Sequence, residues 1–197
     1  MDESLLSNNT NDNSIVSKET EVNSSYESQT SAMTDLKNQN INSISLSLNE
    51  IIQGNKEQGK NAKQDIFYLG FIPPISLNEY IDHLMKYSNM DISTLINAII
   101  YIDRFCDNNN YYLTKNNIFR ILLSTCLLSL KFNEDIIVNY KEYSEIAAVS
   151  VEDLKNLEFK MYLKLHYSLI VKYDLYKAYY DYFANYSTPK KNNKEFQ

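Results

Sequence analysis

The side chains of this 197-residue chain that could do chemistry are few and scattered. Its two histidines, His83 and His166, fall in different predicted helices, with no second histidine or cysteine near either one. That spacing does not make a metal set, and both read as ordinary, partly buried histidines. Cys106 and Cys126 sit in apolar helical surroundings and read as buried free thiols. The adjacent carboxylates Glu134–Asp135 and Glu152–Asp153 lie at predicted helix ends, where they complement a helix dipole or a cap. No glycine occurs between Ile75 and Thr188, so no Gly-rich phosphate loop can form there. No nucleophile stands in an elbow or triad context. The expectation is a chain with no catalytic residues, metal or cofactor, not an enzyme; any chemistry belongs to a partner.

The elements that must carry these residues are helices. Between Ile75 and Thr188 there is neither glycine nor proline, whereas β-rich folds need both for turns and edges. Helix starts show as a capping residue, a back-bonding residue three positions on, and apolar residues bracketing both. Ser76 with Glu79 opens a first helix to about Ser88, and Asp91 with Thr94 a second to about Cys106. Thr114 with Asn117 opens a third to about Phe132, Asn139 with Glu142 a short fourth, and Ser150 with Asp153 a fifth to about Leu165. Leu77, Tyr80, Ile81, Leu84 and Met85 give the first helix one apolar stripe. The third is apolar all round, from Ile118 through Ile121, Leu122, Leu123, Cys126, Leu127 and Leu128 to Leu130, and should be buried on every side. The reading is all-α, a central helix wrapped by four others. Downstream, Leu175, Tyr179, Tyr182 and Tyr186 repeat at helical spacing until Pro189 stops the helix. Upstream, Ile44, Leu48, Ile51 and Ile52 predict a short helix that needs a surface to dock on.

Composition divides the chain. The first 64 residues hold eleven Asn and eleven Ser but only one tyrosine of seventeen, Tyr26. Residues 1–43 are expected to be disordered, since they bury too little apolar surface to offset the entropy of ordering. Residues 44–64 read as helix and linker, 65–187 as one domain, and 188–197 as a tail. A net charge of −6 argues against nucleic acid as a partner. The tyrosines of the last helix, with no interleaved arginine, read as packing rather than base stacking. The longest apolar run, Ile121 to Leu130, is too short to cross a bilayer, and no charged stretch followed by an apolar one opens the chain. The protein reads as soluble and intracellular, in the cytoplasm, the nucleus or both, with no membrane partner.

Five short motifs then occur in register over about a hundred residues. They are F-I-P-P-I-S-L-N-E-Y-I from Phe71, Y-I-D-R-F from Tyr101, L-T-K-N-N-I-F-R-I-L-L from Leu113, L-K-F-N-E-D from Leu130 and V-E-D-L-K-N-L-E from Val151. In order and spacing the chain from Phe71 to Leu169 resembles the P-type cyclins, the group related to the yeast phosphate-response cyclin. The resemblance implies a single cyclin box of five helices, with an extra N-terminal and an extra C-terminal helix. It implies a regulatory subunit that forms a heterodimer with a cyclin-dependent protein kinase and activates it. Lys131 and Glu158 match the lysine and glutamate that grip the kinase's regulatory helix. Read from spacing alone, Lys131 suits a helix C-terminus and Glu158 a solvated face. Asp135 matches an acidic position implicated in contacting the kinase activation segment, and is otherwise a capping carboxylate. The upstream helix with Leu48, Ile51 and Ile52 resembles the N-terminal helix that packs on the box and touches the kinase. The alternative is a cyclin-fold adaptor that binds a partner without activating it.

The chain also departs from the family pattern. Ala147-Ala148 replaces a frequent Gly-Gly after the fourth helix, so that turn is made without glycine or the helix runs on. The first helix lacks the arginine that pairs, in many mitotic cyclins, with the aspartate equivalent to Asp103, so Asp103 needs another partner. The same absence speaks against a substrate groove of the mitotic type. Thr188-Pro189 fits the proline-directed preference of such kinases, which makes Thr188 a candidate phosphorylation site; Pro189 is otherwise a plain helix stop.

Overall fold

The computed structural model of the protein describes residues 34–61, 64–135 and 137–186. The chain divides into two units, Met1–Gln39 and Asn40–Gln197. In the first, the described residues 34–39 are helical. In the second, residues 40–54 form α1, followed by a 3-10 turn at Gln58–Asn61. Then come α2 (Leu77–Tyr87), α3 (Ile92–Asn109), α4 (Ile118–Asn133), α5 (Tyr140–Ile146), α6 (Val151–Lys164) and α7 (Tyr173–Ala184). No strand occurs among the described residues.

Local capping sets the starts. Ser76 accepts the Glu79 backbone N–H at 3.2 Å while the Glu79 carboxylate accepts the Ser76 N–H at 3.0 Å, a complete capping box for α2. Ser150 accepts from the Asp153 N–H at 3.0 Å at the start of α6, and Asn139 accepts from the Lys141 N–H at 3.0 Å at the start of α5. Before α4 only half of the expected box forms. Asn117 accepts the Thr114 N–H at 2.8 Å, but the Thr114 hydroxyl makes no reciprocal bond and regular helix begins at Ile118. Asp91 likewise stands at the N-cap of α3 without a side-chain cap bond. Its backbone N–H reaches the Glu134 carboxylate at 3.2 Å, which uses one of the paired acids at a helix end.

α4 is the axis of the unit. Every residue from Ile121 to Leu130 is buried, and α3, α6 and α2 pack against it while α5 lies on α2 and α6. A helix buried on all sides tolerates hydroxyls only if they are satisfied. Ser124 donates to the Arg120 carbonyl, Thr125 to Ile121 and Ser129 across to Thr94 on α3, at 2.6, 3.1 and 2.7 Å. Before α2, Phe67 packs edge-on to Phe105 and Tyr111, and Leu69 and Asn116 exchange hydrogen bonds, so this stretch is stitched to the α3–α4 turn.

The turns work without glycine. Asn89, Asn110, Ala148, His166 and Tyr167 all take positive φ. Asparagine and histidine tolerate this region, but alanine and tyrosine adopt it at a cost. α5 therefore ends at Ile146 rather than running on. Ala148 at φ 52° lets the Val149 N–H reach back to the Ser144 carbonyl at 3.0 Å, closing the helix as a Schellman turn.

Several expectations need correction. Residues 34–43, read as part of a disordered stretch, are helical; within them Ile41 is buried and extends the Ile44–Leu48–Ile52 stripe by one turn. The expectation for residues 1–33 falls outside the described residues, as does Pro189. α7 ends at Ala184 with Asn185 as its cap, before Pro189 is reached. Its core side is Tyr176, Tyr179, Tyr180 and Phe183; Leu175 and Tyr182, read as part of the packing stripe, are exposed. A helix with this many tyrosines offers apolar rings on several faces, so spacing alone did not single out the inner one. His166 is exposed at the end of α6, whereas His83 donates to the Ile146 carbonyl at 2.8 Å and ties α2 to the end of α5. Cys126 is fully buried and Cys106 only half-buried.

Candidate functional site

Two long charged side chains, 27 positions apart in sequence, meet on one surface. Lys131, in the last turn of α4, places its Nζ 2.6 Å from a carboxylate oxygen of Glu158, two turns into α6. The axial helix α4 packs directly on α6, and this packing sets the two Cα positions. The Lys131 side chain is 36% exposed and that of Glu158 12%, so the pair lies at a rim and not in the core. An ion pair so placed adds about 0–1 kcal/mol to stability.

A third group joins it. Tyr140, the first residue of α5, accepts from Lys131 Nζ at 2.8 Å and donates to the other oxygen of the Glu158 carboxylate. The Lys131 and Lys155 ammonium groups lie 4.8 and 5.2 Å from the centre of its ring, within cation–π range. Partial burial pulls the Lys131 ammonium down, but its hydrogen bonds to Glu158 and Tyr140 together outweigh this and leave its pKa above the ordinary lysine value. Burial, then the bond to Glu158, pushes the Tyr140 hydroxyl up despite the opposing effect of Lys131. Both groups are therefore locked in their protonated forms at neutral pH.

Beside the cluster opens a hollow of about 380 Å³ whose apolar lining includes Leu128, Phe132, Phe159, Tyr162 and Leu169. Phe132 and Phe159, which line it, are 51% and 57% exposed. Exposed rings around a charged pair are the composition of a protein-binding patch. Away from this patch, burial pushes both thiols, Cys106 and Cys126, up to about 12, in Cys106 with help from Asp103 and Asp107. Among the described residues no group of three or more His, Cys, Asp or Glu could hold a metal, and no helix is long and apolar enough to cross a membrane.

The other sequence-derived residues are placed differently. Asp135 is exposed just past the end of α4. On α1, Leu48 and Ile52 are only 2% and 5% exposed and belong to the unit's own core. They sit at i and i+4 on the inward face, so their side chains are not available to a partner, which corrects their assignment. Ile51 alone of the three points outward, 40% exposed. Asp103 finds its partner on α7, where the Tyr179 hydroxyl donates to it at 2.5 Å. Thr188 lies outside the described residues. Phe132, Phe159, Lys155 and Tyr140 were missed by sequence reasoning. The first two carried a usable signal, as large apolar residues adjacent to the assigned Lys131 and Glu158.

Among the described residues, fold and site thus define an all-helical domain built around one buried helix, with a charged and aromatic patch where α4, α5 and α6 meet. The sequence model of the family described as Cyclin matches residues 4–169, and the chain belongs to the cyclin family. It is similar to Cyclin-U2-1 of Arabidopsis thaliana, 29% identical over 127 residues, covering 63% of this chain and 56% of that one. To Cyclin-U3-1 of the same plant it is 31% identical over 99 residues, 50% of this chain and 45% of that one. To Cyclin-P3-1 of Oryza sativa subsp. japonica, a P-type cyclin, it is 25% identical over 114 residues, 58% and 48%. The chain spans about half the length of these curated relatives, and a single cyclin box accounts for the matched region.

Proposed function

We propose that this chain is the activating regulatory subunit of a cyclin-dependent protein kinase and acts in the cytoplasm or nucleus. The observation that carries the reading is the Lys131–Glu158 pair, joined at 2.6 Å beside an apolar hollow lined in part by the exposed Phe132 and Phe159. Lys131 keeps an unused N–H donor and Glu158 unused lone pairs, suited to a backbone carbonyl and a backbone N–H of a docked helix. Phe132 and Phe159 supply the apolar area that such a helix covers. Docking there moves the kinase's regulatory helix inward and orders its activation segment, so the active site is assembled on the partner. Asp135 faces an arginine of that segment, where a carboxylate does the work a phosphate does elsewhere. Ile51, the outward residue of α1, adds a contact at the edge.

The test is a phosphotransfer assay and a pull-down with the cyclin-dependent kinases of the source cells, comparing wild type with Lys131→Ala/Glu158→Ala. The double variant folds normally by circular dichroism. It loses about 2 kcal/mol or more of binding, roughly 30-fold in affinity, and with it the activation. Full activation by the variant would refute the assigned surface. Binding with no change in kinase rate would make the chain an adaptor.

A further inference from the structure

We infer that Tyr140 is the positioning residue of the docking pair: its hydroxyl holds the Lys131 ammonium and the Glu158 carboxylate in one arrangement before any partner arrives. The inference rests on the regulatory reading above for its consequence, and on the free protein's geometry for its substance. Three helices converge on this one hydroxyl, since Lys131 comes from the end of α4, Glu158 from α6 and Tyr140 from the first position of α5. Asn139, whose side chain bonds the Lys141 N–H and the Glu142 carboxylate, fixes that first position. The ring has two ammonium groups against it, Lys131 at 4.8 Å and Lys155 at 5.2 Å, which hold it in place.

The valences say what the hydroxyl achieves. Of the three N–H donors of Lys131, one goes to Glu158 and one to Tyr140, and one remains. Each oxygen of Glu158 has one bond in use and one lone pair free. The pair is therefore held from one side and open on the other. Lysine and glutamate are among the side chains that lose most rotamer freedom when ordered. Without the hydroxyl, each loses one of its two fixed bonds, and a docking helix must supply the order itself. Because the cluster lies at a partly exposed rim, water replaces the lost bond in the free chain. The loss therefore appears in binding and not in folding.

The experiment compares wild type with Tyr140→Phe, which keeps the ring and removes only the hydroxyl. Affinity is measured by calorimetry against the cyclin-dependent kinase that the wild-type chain binds, and exchange of the Lys131 ammonium protons is followed by ¹⁵N NMR in the free chain. The expected result is affinity weakened about tenfold, faster exchange of the Lys131 ammonium and an unchanged melting midpoint. Affinity within twofold of wild type, unchanged exchange, or a loss of affinity that merely tracks a loss of stability would each overturn the assignment. A wild-type chain that binds no such kinase sinks the regulatory reading. The ammonium exchange in the free chain still decides whether Tyr140 holds the pair.

Discussion

Replacing Ala148 by glycine should stabilise the protein, although glycine is ordinarily the residue that destabilises helical folds. Ala148 has φ 52° at the turn after α5, and its neighbour Ala147 has φ −84° and ψ −6°. A left-handed residue with a Cβ costs about 1–2 kcal/mol, which glycine does not incur. Against this, glycine gives the unfolded chain extra freedom worth about 0.4–1 kcal/mol. Ala148 is exposed, so losing its methyl opens no cavity, and the Val149 N–H still reaches the Ser144 carbonyl. The net expectation is a gain of about 0.5–1 kcal/mol, or roughly 2–3 °C in melting midpoint for a domain of this size. Ala147→Gly is the internal control: it has no strain to relieve, it is half-buried against the core, and it should lose about 1 kcal/mol. Thermal and urea denaturation of the three proteins under one set of conditions measures both differences. If the two glycine variants lose stability equally, strain at Ala148 is not what the turn costs, and the reasoning fails.

The bond between Asp103 and Tyr179 gives a second prediction. Tyr179→Phe leaves a half-buried carboxylate without its donor and should cost about 1–2 kcal/mol by urea denaturation. Burial, which outweighs the Tyr179 bond, and then the nearby Asp107 charge raise the Asp103 pKa above its unfolded value of 3.8. The native state therefore holds this proton more tightly than the unfolded state, and the group's contribution to stability falls as pH rises from 3.8 through the raised folded value. Asp103→Asn should flatten that fall, and parallel stability–pH curves for variant and wild type would contradict it. On α1, Leu48→Ala should cost about 3 kcal/mol because Leu48 is core, whereas Ile51→Ala should leave stability within about 0.5 kcal/mol. If α1 touches the kinase as proposed, Ile51→Ala weakens binding severalfold in the pull-down, and unchanged binding would remove α1 from the interface.

What could be read from sequence follows the range of the interaction that decides each feature. The Ser76–Glu79 box and the Ser150 cap span three residues, so their signal is contained in the motif itself. The burial of α4 was equally legible, because a helix apolar on every side has no solvent face to offer. The partner of Asp103 was not legible, since Tyr179 is 76 positions away and lies on a helix whose tyrosines occupy several faces. The inward face of α7 failed for the same reason. Positive φ at Asn89, Asn110 and His166 agrees with residue type, while at Ala148 and Tyr167 the tertiary fold imposes it against local preference.

The candidate site shows the same division more sharply. Short motifs pointed to Lys131 and Glu158, yet their joining is a product of α4 packing on α6, which no motif encodes. Tyr140 had a visible local role, first residue of a capped helix, and an invisible long-range one between the two charges. A residue of that kind has its position written nearby and its purpose written elsewhere. Substitutions at Tyr140 that a local propensity argument would pass as neutral are therefore the ones expected to separate binding from folding. The phenylalanine variant is the sharpest of them, because it alters nothing that α5 needs in order to form.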